Sequence, residues 1–209
     1  MPEPEPVRLR FDVVAIVASA GGLTALSEVL SGLPPDFPAP VVVVQHMAPH
    51  HRSHLAAILS RRTRLRVKEA EEGDRLQPGV VYIAPPARHL LVGPEQKLAL
   101  TQTARVRFVR PSADLLFESM AECLQERALA VVLTGTGQDG ADGVRAIKKR
   151  GGMVIAQNEA TAEYFGMPGA AIDTGSVDRV LPLPEIATTL VSLVQPDPDR
   201  GEPAAQKPE

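Results

Sequence analysis

The sequence contains no tryptophan, and aromatic residues make up only 3% of its 209 positions. With 44% of the residues hydrophobic, the core must come from Val, Leu, Ile and Ala, the composition of buried parallel strands covered by helices. The single cysteine, Cys123, excludes an intramolecular disulfide, a redox pair and a cysteine-based metal knuckle. Its spacing with Leu116, Met120 and Leu124 reads as a small core residue on a helix. A formal net charge of −3 without a Lys/Arg-rich run leaves no basic face to displace counterions, so nucleic acid is not an expected partner. No apolar run approaches the length of a bilayer span, and the chain opens with Pro and Glu rather than a signal peptide. The expected location is therefore the cytoplasm, without membrane insertion.

What is present is an alternation of short apolar runs with segments of helical period, the pattern of right-handed crossovers in a parallel sheet. The expected fold class is α/β: a doubly wound, mostly parallel sheet with helices on both faces and a small antiparallel hairpin. Residues 1–9 and 195–209 are rich in Pro and charge and are expected to stay disordered; residues 10–194 form one domain. The first unit is a strand over 13–17, then Ala18-Ser19-Ala20-Gly21-Gly22, then a helix carrying Leu23, Leu26, Val29 and Leu30, closed by Gly32 and Pro34-Pro35. A second strand over 41–44 leads into Gln45-His46-Met47-Ala48-Pro49 and a helix near 53–60. Shorter strands follow at 66–69 and 80–84. The pair 89–92 and 98–101, joined through Gly93-Pro94-Glu95, suggests a hairpin laid onto the sheet. Ser112 has N-cap chemistry for a helix to about residue 126. A strand over 130–133 precedes Thr134-Gly135-Thr136-Gly137-Gln138-Asp139-Gly140 and a helix through Lys149. A strand at 153–156, a loop over 164–168, a short helix, a strand at 177–181 and a helix at 184–194 complete the domain.

In an open parallel sheet the loops leaving the carboxyl ends of the strands share one edge, and ligands bind there. Three such loops carry Ser19, His46 and Asp139. A serine hydroxyl needs an imidazole to take its proton, and the imidazole needs a carboxylate to fix its tautomer and stabilise imidazolium. Ser19 also precedes a helix start, where backbone N–H groups can stabilise an oxyanion. Each residue has a plainer reading: Ser19 and Asp139 as helix caps, His46 as a core histidine. The glycine-rich loops lack both GxGxxG and Gly-Lys-Ser/Thr spacing, which argues against a phosphate cradle, and strand two ends in Gln45-His46 rather than an acidic ribose ligand. His46, His50, His51 and His54 cluster without the accompanying Cys or HExxH glutamate of a metal site, so neither a metal nor a cofactor is expected.

Five blocks then stand out: Ala18-Ser19-Ala20-Gly21-Gly22, Val44-Gln45-His46-Met47, Arg110-Pro111-Ser112-Ala113-Asp114, Leu133 through Gly140, and Gly166-Met167-Pro168. In this order they resemble the catalytic domain of the chemotaxis protein-glutamate methylesterase CheB, over nearly the whole domain. The resemblance implies hydrolysis of glutamate methyl esters on methylated cytoplasmic helices of chemoreceptors, with glutamine deamidation in some members. It implies Ser19 as nucleophile, His46 as general acid/base and Asp139 as its orienting partner, with Ala20, Gly21, Met47 and Thr136 around the oxyanion and substrate loops. The family usually has Thr where this chain has Ala20 and Met where it has Thr136. Most relatives also carry an N-terminal receiver domain; here the catalytic strand begins near Phe11, and the expectation is a stand-alone esterase, open or controlled by a separate regulatory protein. A catalytically silent receptor-binding adaptor of the same fold is the alternative.

Overall fold

The computed structural model describes residues 9–46 and 54–195. Strand β1 (Val13–Ala18) is six residues without a polar side chain, every one buried. It is the centre of a seven-stranded parallel sheet. Its β-branched residues are stiff at χ1 and pack well on a pleat covered on both faces. Helix α1 (Gly22–Ser31) returns the chain to β2 (Val41–Gln45), which pairs with β1 from Val14↔Val41 to Ala18↔Gln45. After α2 (Leu55–Leu59) come β3 (Arg66–Glu69) and β4 (Val80–Ile83), with β4 seated beside β2. The chain then crosses back over β1. Helix α3 (Ala113–Leu124) leads to β7 (Ala128–Val132) on the other side of β1, and α4 (Ala141–Lys149), β8 (Met153–Gln157), α5 (Gly166–Asp173), β9 (Arg179–Leu181) and α6 (Leu183–Leu193) complete the order β3-β4-β2-β1-β7-β8-β9. Strand order reverses at β1, so a crevice opens there at the carboxyl edge.

Alternate residues of β1 face opposite layers. Val14 and Ile16 pack with Leu26 and Leu30 of α1 and Ile186 and Leu190 of α6. Val13, Ala15 and Val17 pack with Phe117 and Met120 of α3 and Val144 and Ile147 of α4. Helices therefore cover both faces, as the alternating pattern predicts.

Several local expectations shift. The pair β5 (His89–Val92) and β6 (Leu98–Thr101) is antiparallel but forms its own two-stranded sheet rather than an addition to the large one. Leu90, Val92 and Leu98 turn onto the α3 layer, and the Val92 N–H donates to Ser119 Oγ on α3 at 3.0 Å. The sheet edge at β3 is Arg-Val-Lys-Glu, exposed at both ends, a charged edge that discourages pairing. Helix α5 starts at Gly166, inside the expected loop, because Pro168 is tolerated in a first turn whose N–H groups need no partner. Strand β7 begins two residues earlier than the pattern suggests, at Ala128 opposite Val13. Cys123 is half-buried at the margin of the α3 layer rather than inside it. The terminal segments read as disordered lie outside the described residues except Leu9, which packs against the core, and Gln195, whose side chain donates to the Val191 carbonyl.

Candidate active site

Ser19, His46 and the loop after β7 emerge from three adjacent strands. The His46 N–H donates to the Ala18 carbonyl and the Ser19 N–H to the Thr134 carbonyl, both at 3.0 Å. The parallel ladder thus carries Ser19 to a point between the two neighbouring loops. Ser19 does not cap α1. That position is Gly21, at φ 74 with no side-chain cap, a left-handed turn suited to glycine. Gln45 ties the strand ends together, its Nε2 donating to the carbonyls of Ser19 at 2.7 Å and His46 at 3.0 Å. From the far side Gly135 presses against the serine: a Cβ there would lie 2.8 Å from Ser19 Cβ and 2.5 Å from Met167 Sδ. Only glycine allows so close an approach.

His46 Nε2 lies 2.8 Å from Asp139 Oδ2, with the two side chains 11% and 4% exposed. An ionised carboxylate only accepts, so Nε2 carries the proton and Nδ1 is left as the acceptor nitrogen. Asp139 Oδ2 also accepts from the Ala113 N–H at 2.6 Å. Its Oδ1 accepts from the Ser112 hydroxyl at 2.8 Å and the Asp114 N–H at 3.2 Å. Burial pushes this carboxyl toward neutrality, but the His46 bond and the N–H groups of Ala113 and Asp114 outweigh it and hold the group below the usual carboxylate range.

Asp139 therefore does not cap the helix that follows it. It receives the start of α3, while α4 begins at Gly140 without a side-chain cap from Asp139. The acceptor for α4 comes from α3 instead: Asp114 Oδ1 takes the N–H groups of Gly140 at 2.9 Å, Asp142 at 3.0 Å and Gly143 at 2.9 Å. Arg107 Nε reaches Asp114 Oδ2 at 3.1 Å, and its Nη2 pairs with Asp142. Burial pushes the Asp114 carboxyl above its ordinary value, opposed by the Gly143 N–H.

The loop between β8 and α5 forms the other wall. The Thr134 hydroxyl lies within hydrogen-bond distance of the carbonyls of Ala20 and Tyr164 and accepts from the Tyr164 N–H at 2.9 Å. Gly135 and Met167 add backbone bonds, Gly135 N–H to Tyr164 and Met167 N–H to Gly135. A cavity of about 470 Å³, lined by Gly21, Thr24, Glu28, Thr134, Gln157 and Glu163 among others, opens beside the Ser19 loop. The N–H groups of Ala20 and Thr136 have no hydrogen-bond partner among the described residues, which leaves them able to receive a developing oxyanion. Met47, His50 and His51 lie outside the described residues, and His54 is exposed.

Ser112, Asp114, Gln45 and Arg107 are the site residues that sequence reasoning did not assign. Gln45 had one readable signal, a polar side chain at the end of an all-valine strand. For Ser112 the N-cap chemistry was legible, since its Oγ accepts from the Leu115 N–H, but its donation to a residue 27 positions away was not.

Residues 14–190 match the family described as CheB methylesterase. The chain is 50% identical over 186 residues to protein-glutamate methylesterase/protein-glutamine glutaminase 2 of Anaeromyxobacter dehalogenans, covering 89% of this chain and 54% of that one. It is 45% identical over 184 residues to protein-glutamate methylesterase FrzG of Myxococcus xanthus, covering 88% of this chain and 55% of the other. A putative protein-glutamate methylesterase/protein-glutamine glutaminase of Leptospira interrogans is 38% identical over 187 residues, 90% of this chain and 97% of that one. The chain thus spans about half the length of the first two relatives and nearly all of the third. Among solved structures it is similar to the Thermotoga maritima CheB methylesterase catalytic domain, with a TM-score of 0.84, 41% identity, and coverage of 88% of this chain and 99% of that one.

Proposed function

Because the chain belongs to the CheB methylesterase family, we propose that it hydrolyses the methyl esters of glutamate side chains on a protein substrate, using Ser19, His46 and Asp139. The observation that carries this reading is the 2.8 Å bond between His46 Nε2 and Asp139 Oδ2, made between the loops that follow β2 and β7, the strands on either side of the one that leads to Ser19. Nδ1 takes the Ser19 proton as Oγ attacks the ester carbonyl, and Asp139 stabilises the imidazolium. The Ala20 and Thr136 N–H groups receive the oxyanion, and both are main-chain donors, so the departures at these positions leave the chemistry intact. The tetrahedral intermediate collapses as the imidazolium returns its proton to the methoxide, releasing methanol. Water then attacks the acyl-serine, with His46 again taking and returning a proton, and frees the glutamate. A glutamine substrate follows the same course with ammonia as the leaving group.

The substrates in this reading are the methylated cytoplasmic helices of chemoreceptors, which would put the protein in the cytoplasm. Among the described residues no helix is long and apolar enough to cross a membrane. The test is methanol release from radiolabelled, methylated receptor by the purified chain and its Ser19→Ala variant. Release by the wild type and a loss of about 10⁴-fold or more in the variant is the expected result. Equal release from both overturns Ser19 as the nucleophile.

A further inference from the structure

Asp139 is held less by its own loop than by a helix that precedes it in the chain. Among the described residues its carboxylate accepts from His46, from the Ser112 hydroxyl and from the N–H groups of Ala113 and Asp114. The exchange is reciprocal, because Asp114 accepts the N–H groups of Gly140, Asp142 and Gly143, the turn and helix start that deliver Asp139. Each carboxylate caps the other's helix, and Arg107 closes over Asp114 from a neighbouring turn. We propose that Ser112 and Asp114 are positioning residues for the hydrolysis: Ser112 holds Asp139 in the rotamer that faces His46, and Asp114 fixes the loop that brings it there. This rests on the triad reading above.

The two residues act with opposite electrostatic sign. Ser112 is fully buried, so no water replaces its hydroxyl in Ser112→Ala. Asp139 then keeps its negative charge with one donor fewer, becomes more basic and holds the imidazolium more tightly. Asp114→Asn retains an acceptor oxygen for the α4 N–H groups but removes the negative charge that faces Asp139. Asp139 becomes less basic, and the imidazolium is held less tightly. The other titratable and charged groups around the pair are Arg107 and Asp142 beyond Asp114, Glu118 on α3, which feels both carboxylates, and His89 and Arg110 on the β5 side, where burial holds the His89 ring toward its neutral form. Ser112→Ala leaves all of them in place, whereas Asp114→Asn frees Arg107 from one of its two carboxylate partners, and the positive charge it keeps beside the pair acts in the same direction as the lost carboxylate. Damage to packing alone would not move the two titrations in opposed directions.

The decisive experiment follows the His46 imidazole resonances by NMR across pH in wild type, Ser112→Ala, Ser112→Thr and Asp114→Asn, with the signal assigned by its loss in His46→Asn. Kinetics on methylated receptor run alongside. The expected result is a titration midpoint raised in Ser112→Ala, restored in Ser112→Thr and lowered in Asp114→Asn. Ser112→Ala should also lose kcat by about 10- to 100-fold with KM little changed. A midpoint that is the same in wild type, Ser112→Ala and Asp114→Asn overturns the proposal. Opposed shifts in a protein that releases no methanol would support the positioning roles and count against the esterase reading instead.

Discussion

A buried carboxylate that must stay ionised needs donors in proportion to the water it has lost, and at Asp139 those donors are also what a triad acid requires. The consequence is readable in stability as a function of pH. Asp139 has its folded pKa below the unfolded value of about 3.9. Its contribution is therefore fully present above that unfolded value and is lost as pH falls through the depressed folded one. Asp114, pushed the other way by burial, binds its proton more tightly in the folded state and does not drive acid unfolding. Asp139→Asn is expected to lower stability near neutral pH and to flatten its fall below about pH 4, measured as urea midpoints from pH 2 to 7. An unchanged acid limb would place the relevant protonation elsewhere. Ser19 and His46 were legible as residues because strand ends bearing Ser and His are local features. The donors that hold Asp139 from the start of α3 were not, since a side chain free to cap the next residue can as easily reach a helix 25 to 27 positions earlier.

At the scale of elements, the site depends on how closely α3 and α4 lie together. A Cβ on Gly143 of α4 would come 2.6 Å from Phe117 Cβ and 3.1 Å from Asp114 Cα, so the helices meet nearly backbone to backbone beneath the two capped N-termini. Phe117 is fully buried in this seam. Phe117→Ala is expected to cost about 3–5 kcal/mol through lost burial and the cavity left behind. Phe108, at 92% exposure on the turn that carries Arg107, serves as the control, and Phe108→Ala should leave the urea midpoint within about 0.5 kcal/mol of wild type. A comparable loss from both would mean that the α3–α4 seam is not what stabilises this side of the sheet. Helix periodicity marked both helices from the sequence. Their separation was not legible, because it is set by Gly143 and Phe117 meeting across 26 residues of chain.

For the whole molecule, β1 is the strand on which everything converges: both apolar layers pack on its two faces, and the loop bearing Ser19 leaves its carboxyl end. Strands paired on both sides and buried on both faces open only with the entire domain. Amide exchange is therefore expected to be slowest in β1 and β7, and faster in β3, β9 and the separate β5–β6 pair, whose edges are free or short. Faster exchange in β1 than in β3 would contradict a single cooperative sheet. The sequence by itself determined the class of fold, because valine-rich runs of strand length alternating with amphipathic segments admit few other solutions. It also singled out Ser19, His46 and Asp139 as candidates, and the motif blocks around them determined the family. Only the tertiary structure decided the order of the strands, the detachment of the hairpin from the sheet, and the crossed caps that bind Asp139 to α3 and Asp114 to α4. Those choices depend on contacts between distant segments, whose energies exist only once the chain has closed on itself and excluded the water that would otherwise satisfy the same groups.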